Sequence, residues 1–362
     1  MPFRESVVAD PVPVSWALDG DQQGLVAAAR DFARERLEPL LGGAPDSTRW
    51  TETVQLAATL DLATMILPEQ MGGMGITRHD LALVVEQFAA GPLERAAELT
   101  LSSAALMTLR EYDALDRLPD QPIQHYLDGT TSIAPGIPDV DASGFWVLRQ
   151  QASSHAMMVR LEGGYPQLVL AKLPARRVEP YSAVVALPGA LSIGRYTTAP
   201  PCAGDMQCLV VPDDGRTDGN SVRRWLVDAA IYFAALLSGA VQQGVNFALA
   251  YSASRQTFRR PIAAHQLVAA RLADMLISAH TTRLFLRSVA AQETQVQIRS
   301  VRSMAHHVAT EALDVARELV QLCGGHGYVQ GLPPSARFQT VHWFAMLLMK
   351  VEAALRAFTV IG

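Results

Sequence analysis

Arg255, Thr257, Phe258, His265 and Gln266 fall within one twelve-residue stretch, Arg255-Gln-Thr-Phe-Arg-Arg-Pro-Ile-Ala-Ala-His-Gln266. Pro261 suits the first turn of a helix, because its φ is already helical and its missing N–H would be unpaired there. Arg255, Thr257 and Phe258 then fall on the tight connection entering that helix. A helix start offers unpaired N–H groups and the positive end of a dipole. With a guanidinium and a hydroxyl added, the stretch reads as a seat for a diphosphate. Spacing alone leaves open a plainer reading, a surface connection between helices that contains arginine.

Two further stretches carry glycines at turn spacing. One is Gln321-Leu-Cys-Gly324-Gly325-His-Gly327-Tyr328; the other is Leu67-Pro68-Glu69-Gln-Met-Gly72-Gly73-Met-Gly75. Each alone reads equally as a plain turn. Together, in this order, the three segments resemble the acyl-CoA dehydrogenases, whose corresponding elements are an Arg-x-Thr-Phe segment, a Gln-x-x-Gly-Gly-x-Gly-Tyr turn and a Pro-Glu-x-x-Gly-Gly-x-Gly loop. Those proteins have glycine where this chain has Arg259. The resemblance covers most of the chain and is poorest from about 129 to 214.

The resemblance implies an α+β fold: an N-terminal helical domain (1–128), a reduced middle β-domain (129–215) and a C-terminal four-helix bundle that makes the oligomer (216–362). It implies FAD, shared across a subunit interface. Arg255 would pair with the diphosphate, helped by Thr257. Phe258 and Ile262 would pack against the cofactor, and His265 and Gln266 would hydrogen-bond near the adenine–ribose end. Gln321 and the backbone of Gly324 and Gly325 would approach the rest of the arm. It also implies an acyl-CoA thioester as substrate and an electron-transfer flavoprotein as redox partner.

The reaction removes a proton alpha to the thioester carbonyl and a hydride beta to it, so it needs a carboxylate in a dry pocket and a cradle for the flavin ring. The family places its base as a glutamate followed by glycine, about twenty residues past the Gly-Gly turn. Here that region reads Phe338-Gln-Thr-Val-His-Trp-Phe-Ala-Met-Leu-Leu-Met-Lys350 without a carboxylate, and Leu348 takes the glutamate's place. The family's other position aligns with Ala229. Asp228 is its neighbour, turned by about 100° on a helix; it is a candidate base, or a solvated or capping residue. The ring cradle, usually Thr-Glu-Pro-x-x-Gly-Ser-Asp-like, is reduced to Ser132-Ile-Ala134-Pro135-Gly136-Ile-Pro138-Asp139. The chain thus resembles the base-lacking subunit of actinobacterial α2β2 acyl-CoA dehydrogenases acting on steroid side chains, completing a catalytic partner's FAD site. Two alternatives stay open: a complete homo-oligomeric enzyme with Asp228 as displaced base, and a non-redox binding or scaffold relative.

The elements that must position these residues are mostly helical. Asp21 to Leu41 is amphipathic and is stopped by Gly42-Gly43-Ala-Pro45; Thr53 to Leu60 reads as a second helix. Thr77 to Ala90 carries a Thr77 cap with Asp80 three positions on. Ala96 to Leu109 and Pro122 to Leu127 continue the pattern. From Gly129 short β-branched runs (145–148, 156–161, 167–173, 209–212) alternate with turn signals such as Gly163-Gly164 and Asp213-Asp214-Gly215. Helices return from Val222. In the final one Phe344, Leu348, Val351, Leu355 and Phe358 form a packing seam.

Composition sets the bounds. The 362 residues are 49% apolar and 18% charged, with a net charge of −5, which argues against nucleic acid as a partner. Lys172 and Lys350 are the only lysines. Three cysteines make neither a disulfide framework nor a metal set, and the adjacent His306 and His307 point apart on a helix, so no metal is expected. The longest apolar run, Ala229 to Leu237, is too short to span a bilayer. No leader is recognised, and the expected location is the cytoplasm.

Overall fold

The computed structural model describes residues 18–41, 47–59, 64–118, 123–127, 129–141, 144–162, 165–173, 181–187, 191–196, 208–210, 221–292, 296–328 and 333–359. The expected stops at 42–45, 163–164 and 213–215 lie outside these residues, as does nearly all of the N-terminal stretch.

The N-terminal helices start where their caps dictate. Helix α1 (Gly20–Phe32) is capped by Asp19, whose carboxylate accepts from the Gln22 N–H at 2.8 Å, while Gln22 reaches back to the Asp19 N–H. It therefore begins one residue before the predicted Asp21, because the reciprocal cap sets the start. Helix α2 spans Ser47–Thr59. Helix α3 (Arg78–Phe88) has the Thr77–Asp80 cap read from sequence, and it buries Leu81, Val84, Val85 and Phe88. The run expected from Ala96 to Leu109 is two helices, α4 (Leu93–Thr100) and α5 (Ser103–Glu111). The Ser102 hydroxyl between them accepts the Ile133 N–H at 3.0 Å, tying the break to the start of the sheet. A short α6 (Gln124–Leu127) leads in.

Seven strands follow: β1 (Ser132–Pro138), β2 (Phe145–Gln150), β3 (Ser153–Glu162), β4 (Tyr165–Lys172), β5 (Tyr181–Ala186), β6 (Leu191–Tyr196) and β7 (Cys208–Val210). They form one sheet in the order β5-β6-β2-β1-β3-β4-β7. Strand β1 is central and wholly buried, although it contains Pro135 and Pro138. Its first half pairs parallel with β3 up to Pro135, and its second half pairs antiparallel with β2 from Gly136. The proline, which cannot donate to a ladder, thus sits where the strand exchanges one partner for the other. That exchange explains why the segment does not read as a strand.

The C-terminal bundle is built on α7 (Ser221–Ser254), 34 residues long and buried along most of its length. By length and composition α7 could cross a membrane, more than its uninterrupted apolar run suggests, but its most apolar stretch is 94% buried within the fold. A short hairpin, β8 (Gln256–Thr257) and β9 (Arg260–Pro261), joins it to α8 (Gln266–Ala290), followed by α9 (Ile298–Leu322) and α10 (Pro333–Thr359). The α10 seam is core of this chain's own bundle: Phe344, Leu348 and Val351 are fully buried and Leu355 almost so, with Phe358 partly covered.

Buried charges tie the layers together. Glu86 of α3 accepts from Ser238 of α7 at 2.7 Å and from Arg283 and Arg287 of α8 at 3.0 and 3.2 Å. Asp139, just after β1, accepts from Lys350 of α10 at 2.8 Å, from Arg195 of β6 at 2.9 Å and from the Trp146 indole at 3.1 Å. Burial pushes the Asp139 carboxyl up, but the bonds from Lys350 and Arg195 outweigh it and hold the group below the ordinary 3.8. A carboxylate with a depressed folded pKa adds stability above its unfolded pKa and loses it as pH falls through the folded value. Urea midpoints measured from pH 6 down to pH 3 are therefore expected to fall more steeply for the native chain than for Asp139→Asn. Parallel curves would remove this tie from the account.

Candidate functional site

The segment predicted as a helix entry is instead a two-residue hairpin. Pro261 lies on β9 and precedes a single 3-10 turn (Ile262–Ala264), and α8 starts only at Gln266. Gln256 pairs with Pro261 and Thr257 with Arg260, leaving Phe258 and Arg259 as the turn. Both have left-handed φ, 50° and 65°. That is the backbone of a type I′ turn, which suits the right-handed twist of a hairpin and favours glycine or asparagine. Arg259 has neither advantage. Replacing it with glycine should stabilise the chain by about 1 kcal/mol, the approximate cost of a left-handed non-glycine residue, read as a higher urea midpoint. An unchanged or lower midpoint would show that the arginine makes good its strain locally.

His265 organises the hairpin. Arg260 donates to its Nδ1 at 3.2 Å, which leaves Nε2 to carry the proton and donate to the Thr257 hydroxyl at 3.3 Å. The Phe258 ring stands edge-on to the imidazole, centroids 6.2 Å apart, yet is 90% exposed. Thr257, Phe258, Ile262 and His265 face Gln321 and Leu322 across a groove of about 310 Å³, completed by Leu267, Val268 and Arg271 of α8. Five of the nine residues implied for cofactor binding, from segments more than fifty positions apart, thus line one concavity.

The other four lie at or beside it. Arg255 is exposed at the hairpin's base, and Gln266 is the exposed first residue of α8. Gly324 and Gly325, both exposed, follow Gln321 and Leu322 after the buried Cys323, with Gly324 at φ 58°. Three residues on, a Cβ at Gly327 would stand 2.2 Å from the Val320 carbonyl, so this turn closes only on glycine. Among the described residues, neither the Arg255 nor the Arg259 guanidinium has a hydrogen-bond or carboxylate partner. The α8 N-terminus has no side-chain cap. Unpaired guanidinium groups, an uncapped helix start and bare glycine backbone around a shallow groove fit the anionic arm of a dinucleotide. Sequence reasoning missed Arg271 as part of this wall and Arg260 as the donor to His265 beside it. Arg260 enters only through hairpin register, which Phe-Arg at the turn does not announce.

At Leu348, which the resemblance alone sets against the family's glutamate, the fold is closed. Helix α10 runs without a break through Leu348, which is fully buried, and Met349 continues the helix where the resembled sequences have glycine. The cradle-like segment is strand β1, and its terminal Asp139 is occupied by the Lys350, Arg195 and Trp146 bonds. Asp228 is neither solvated nor a cap, the reading favoured from sequence. It lies inside α7, its side chain 2% exposed, ion-paired with Arg78 and accepting from the Thr108 hydroxyl at 2.8 Å. A third group, Arg224, stands 3.9 Å away. All three hold it to its own chain.

Two models of one family match the sequence: the acyl-CoA dehydrogenase N-terminal domain over residues 19–112 and its C-terminal domain over 220–354. The chain belongs to the acyl-CoA dehydrogenase family. It is 25% identical over 304 residues to acyl-CoA dehydrogenase IpdE2 of Mycobacterium tuberculosis, covering 83% of each chain. Its fold matches a glutaryl-CoA dehydrogenase from Mycobacterium smegmatis in complex with FADH2 (TM-score 0.67, 16% identity, 93% of this chain and 95% of that one). It also matches a steroid ACAD variant, Tcur3481-Tcur3483 (TM-score 0.69, 16% identity, 94% and 99%). The acyl-CoA dehydrogenase architecture expected from sequence, two helical regions around a central sheet, is therefore the one observed.

Proposed function

We propose that this acyl-CoA dehydrogenase-family chain is the subunit that completes a partner's FAD site and does not carry the base itself. The observation that bears most weight is the contrast along the bundle: an open, cationic groove at the hairpin, against a fully buried Leu348 in an unbroken helix. FAD, when bound, supplies the acceptor for the substrate's hydride. This chain's residues hold its nucleotide arm. Arg255 meets the diphosphate, with Thr257 as a second donor; Phe258 and Ile262 cover an apolar face. His265 and Gln266 bind toward the adenine–ribose end, and Gln321 and the Gly324–Gly325 backbone approach the rest of the arm. The partner supplies the ring cradle and the proton acceptor.

The face of α8 supports an oligomer. Ile277 and Leu284, 62% and 43% exposed and seven residues apart, lie on one side of the helix, and Leu267, 80% exposed, stands about 80° round from Ile277. A covering subunit would bury these residues beside the groove. An α2β2 assembly acting on an acyl-CoA, with a steroid side chain as the acyl group and electron-transfer flavoprotein as acceptor, is the fuller form of this reading. Likeness to IpdE2 and to the steroid ACAD supports it. A cytoplasmic setting goes with it.

The test is flavin stoichiometry. Produced alone, the chain should retain little flavin. Purified with a base-carrying acyl-CoA dehydrogenase subunit encoded beside it, the complex should show one FAD per two chains by absorbance. Stoichiometric flavin with acyl-CoA oxidation by the chain alone would overturn the proposal, and loss of that activity in Asp228→Asn would then make Asp228 the base. Partner flavin and activity indifferent to Arg255→Ala would leave a scaffold role.

A further inference from the structure

A cavity of about 160 Å³ is lined by residues of α2, α3, α4 and α5, by Tyr126 of α6 and by the turn between β2 and β3. Apolar residues such as Val54, Ala57 and Phe88 line most of it. Four buried polar residues also face it, and three of them are already engaged. Glu98 accepts from Arg95 at 2.8 Å, the Thr100 hydroxyl donates to the Ala96 carbonyl at 2.8 Å, and the Tyr126 hydroxyl meets His155 at 3.0 Å. The fourth, Ser103, is 8% exposed and makes no side-chain hydrogen bond among the described residues. On the outer side stands Trp50, its ring held under the Arg95 guanidinium at 4.5 Å.

The Ser103 hydroxyl lines the cavity with no partner among the described residues, so a ligand group placed against it would add a hydrogen bond worth about 0.5–1.5 kcal/mol. A cavity of about 150 Å³ accommodates a benzene-sized molecule. We infer that this cavity is a binding site for a small, neutral, ring-sized molecule bearing one hydrogen-bonding group, with Ser103 as the contact for that group. Glu98 disfavours an anion. Its own charge is already met by Arg95, so it does not call for a cation. Trp50 and Arg95 close the site over the ligand. The inference is independent of the reading of the hairpin groove, since no residue is shared between the two.

The probe is cyclohexanol, titrated against the full chain while thermal unfolding is followed. A saturable rise in Tm is expected. Ala57→Leu, which fills the space, should fold and lose the rise. Val54→Phe reads the same quantity should Ala57→Leu fail to fold. Ser103→Ala should weaken cyclohexanol about 2- to 10-fold, the worth of one hydrogen bond, and leave benzene binding unchanged. A Tm that does not saturate, or a rise that survives filling, overturns the site. Equal loss of cyclohexanol and benzene in Ser103→Ala overturns the role given to the hydroxyl.

Discussion

Asp228→Ala is expected to lower the unfolding free energy by about 3–5 kcal/mol, the usual cost of leaving one half of a buried ion pair. The Asp228 and Arg78 side chains are 2% and 3% exposed, so water cannot take the place of the lost carboxylate. Thr108 would be left with the Ala104 carbonyl alone as acceptor, and Arg224 would lose a neighbouring charge. The pair joins the first turn of α3 to the N-terminal part of α7, so its loss should loosen the N-terminal helices from the bundle. Arg78→Met combined with Asp228→Leu should recover most of the stability, because an apolar pair of similar volume removes both desolvation costs. Urea unfolding of the two single variants and the double variant measures the coupling. A single-variant loss below about 1 kcal/mol would mean that water reaches the pair. It would also reopen Asp228 as a group with a proton to exchange, since a carboxylate fixed by three partners is poorly placed to collect one from a substrate.

The same residue shows what a sequence can carry. The Thr77–Asp80 cap is local, three residues apart, and the structure contains it as read. Asp228 pairs with a residue 150 positions away, and no spacing rule reports that. Strand β1 is hidden for a related reason: its prolines forbid a regular ladder, and only the exchange of partners at Pro135 makes room for them. The groove was legible in part. Its glycines and its Arg-x-Thr-Phe stretch are motif residues, but the turn at Phe258 and Arg259 uses residue types that give no hairpin signal. Pro261, which favours a helix start by its φ alone, equally fits the edge strand where it is found. Leu348 was informative in the other direction. An apolar residue in a seam of apolar residues is ordinary core, and its meaning comes only from the carboxylate that related sequences have there.

Arg255→Ala, in the complex with a base-carrying subunit, is expected to weaken FAD retention about 10- to 150-fold, equivalent to about 1.5–3 kcal/mol for hydrogen bonds to a charged group. The basis is its freedom: Arg255 is exposed and its guanidinium has no partner among the described residues, so the change removes no side-chain hydrogen bond or ion pair within the chain. The stability of the isolated chain should therefore stay within about 0.5 kcal/mol of the native value. That separation makes the experiment decisive. A fold effect would move the urea midpoint of the chain alone; a cofactor effect moves only the flavin that survives gel filtration of the complex. Arg255→Lys should fall between the two, since an ammonium keeps the charge and loses the two-pronged geometry. Unchanged flavin in Arg255→Ala, alongside loss in Gln321→Ala or His265→Ala, would shift the diphosphate toward Arg260 of the hairpin or Arg271 of α8. Unchanged flavin in all of them would leave the groove without a role in the cofactor site.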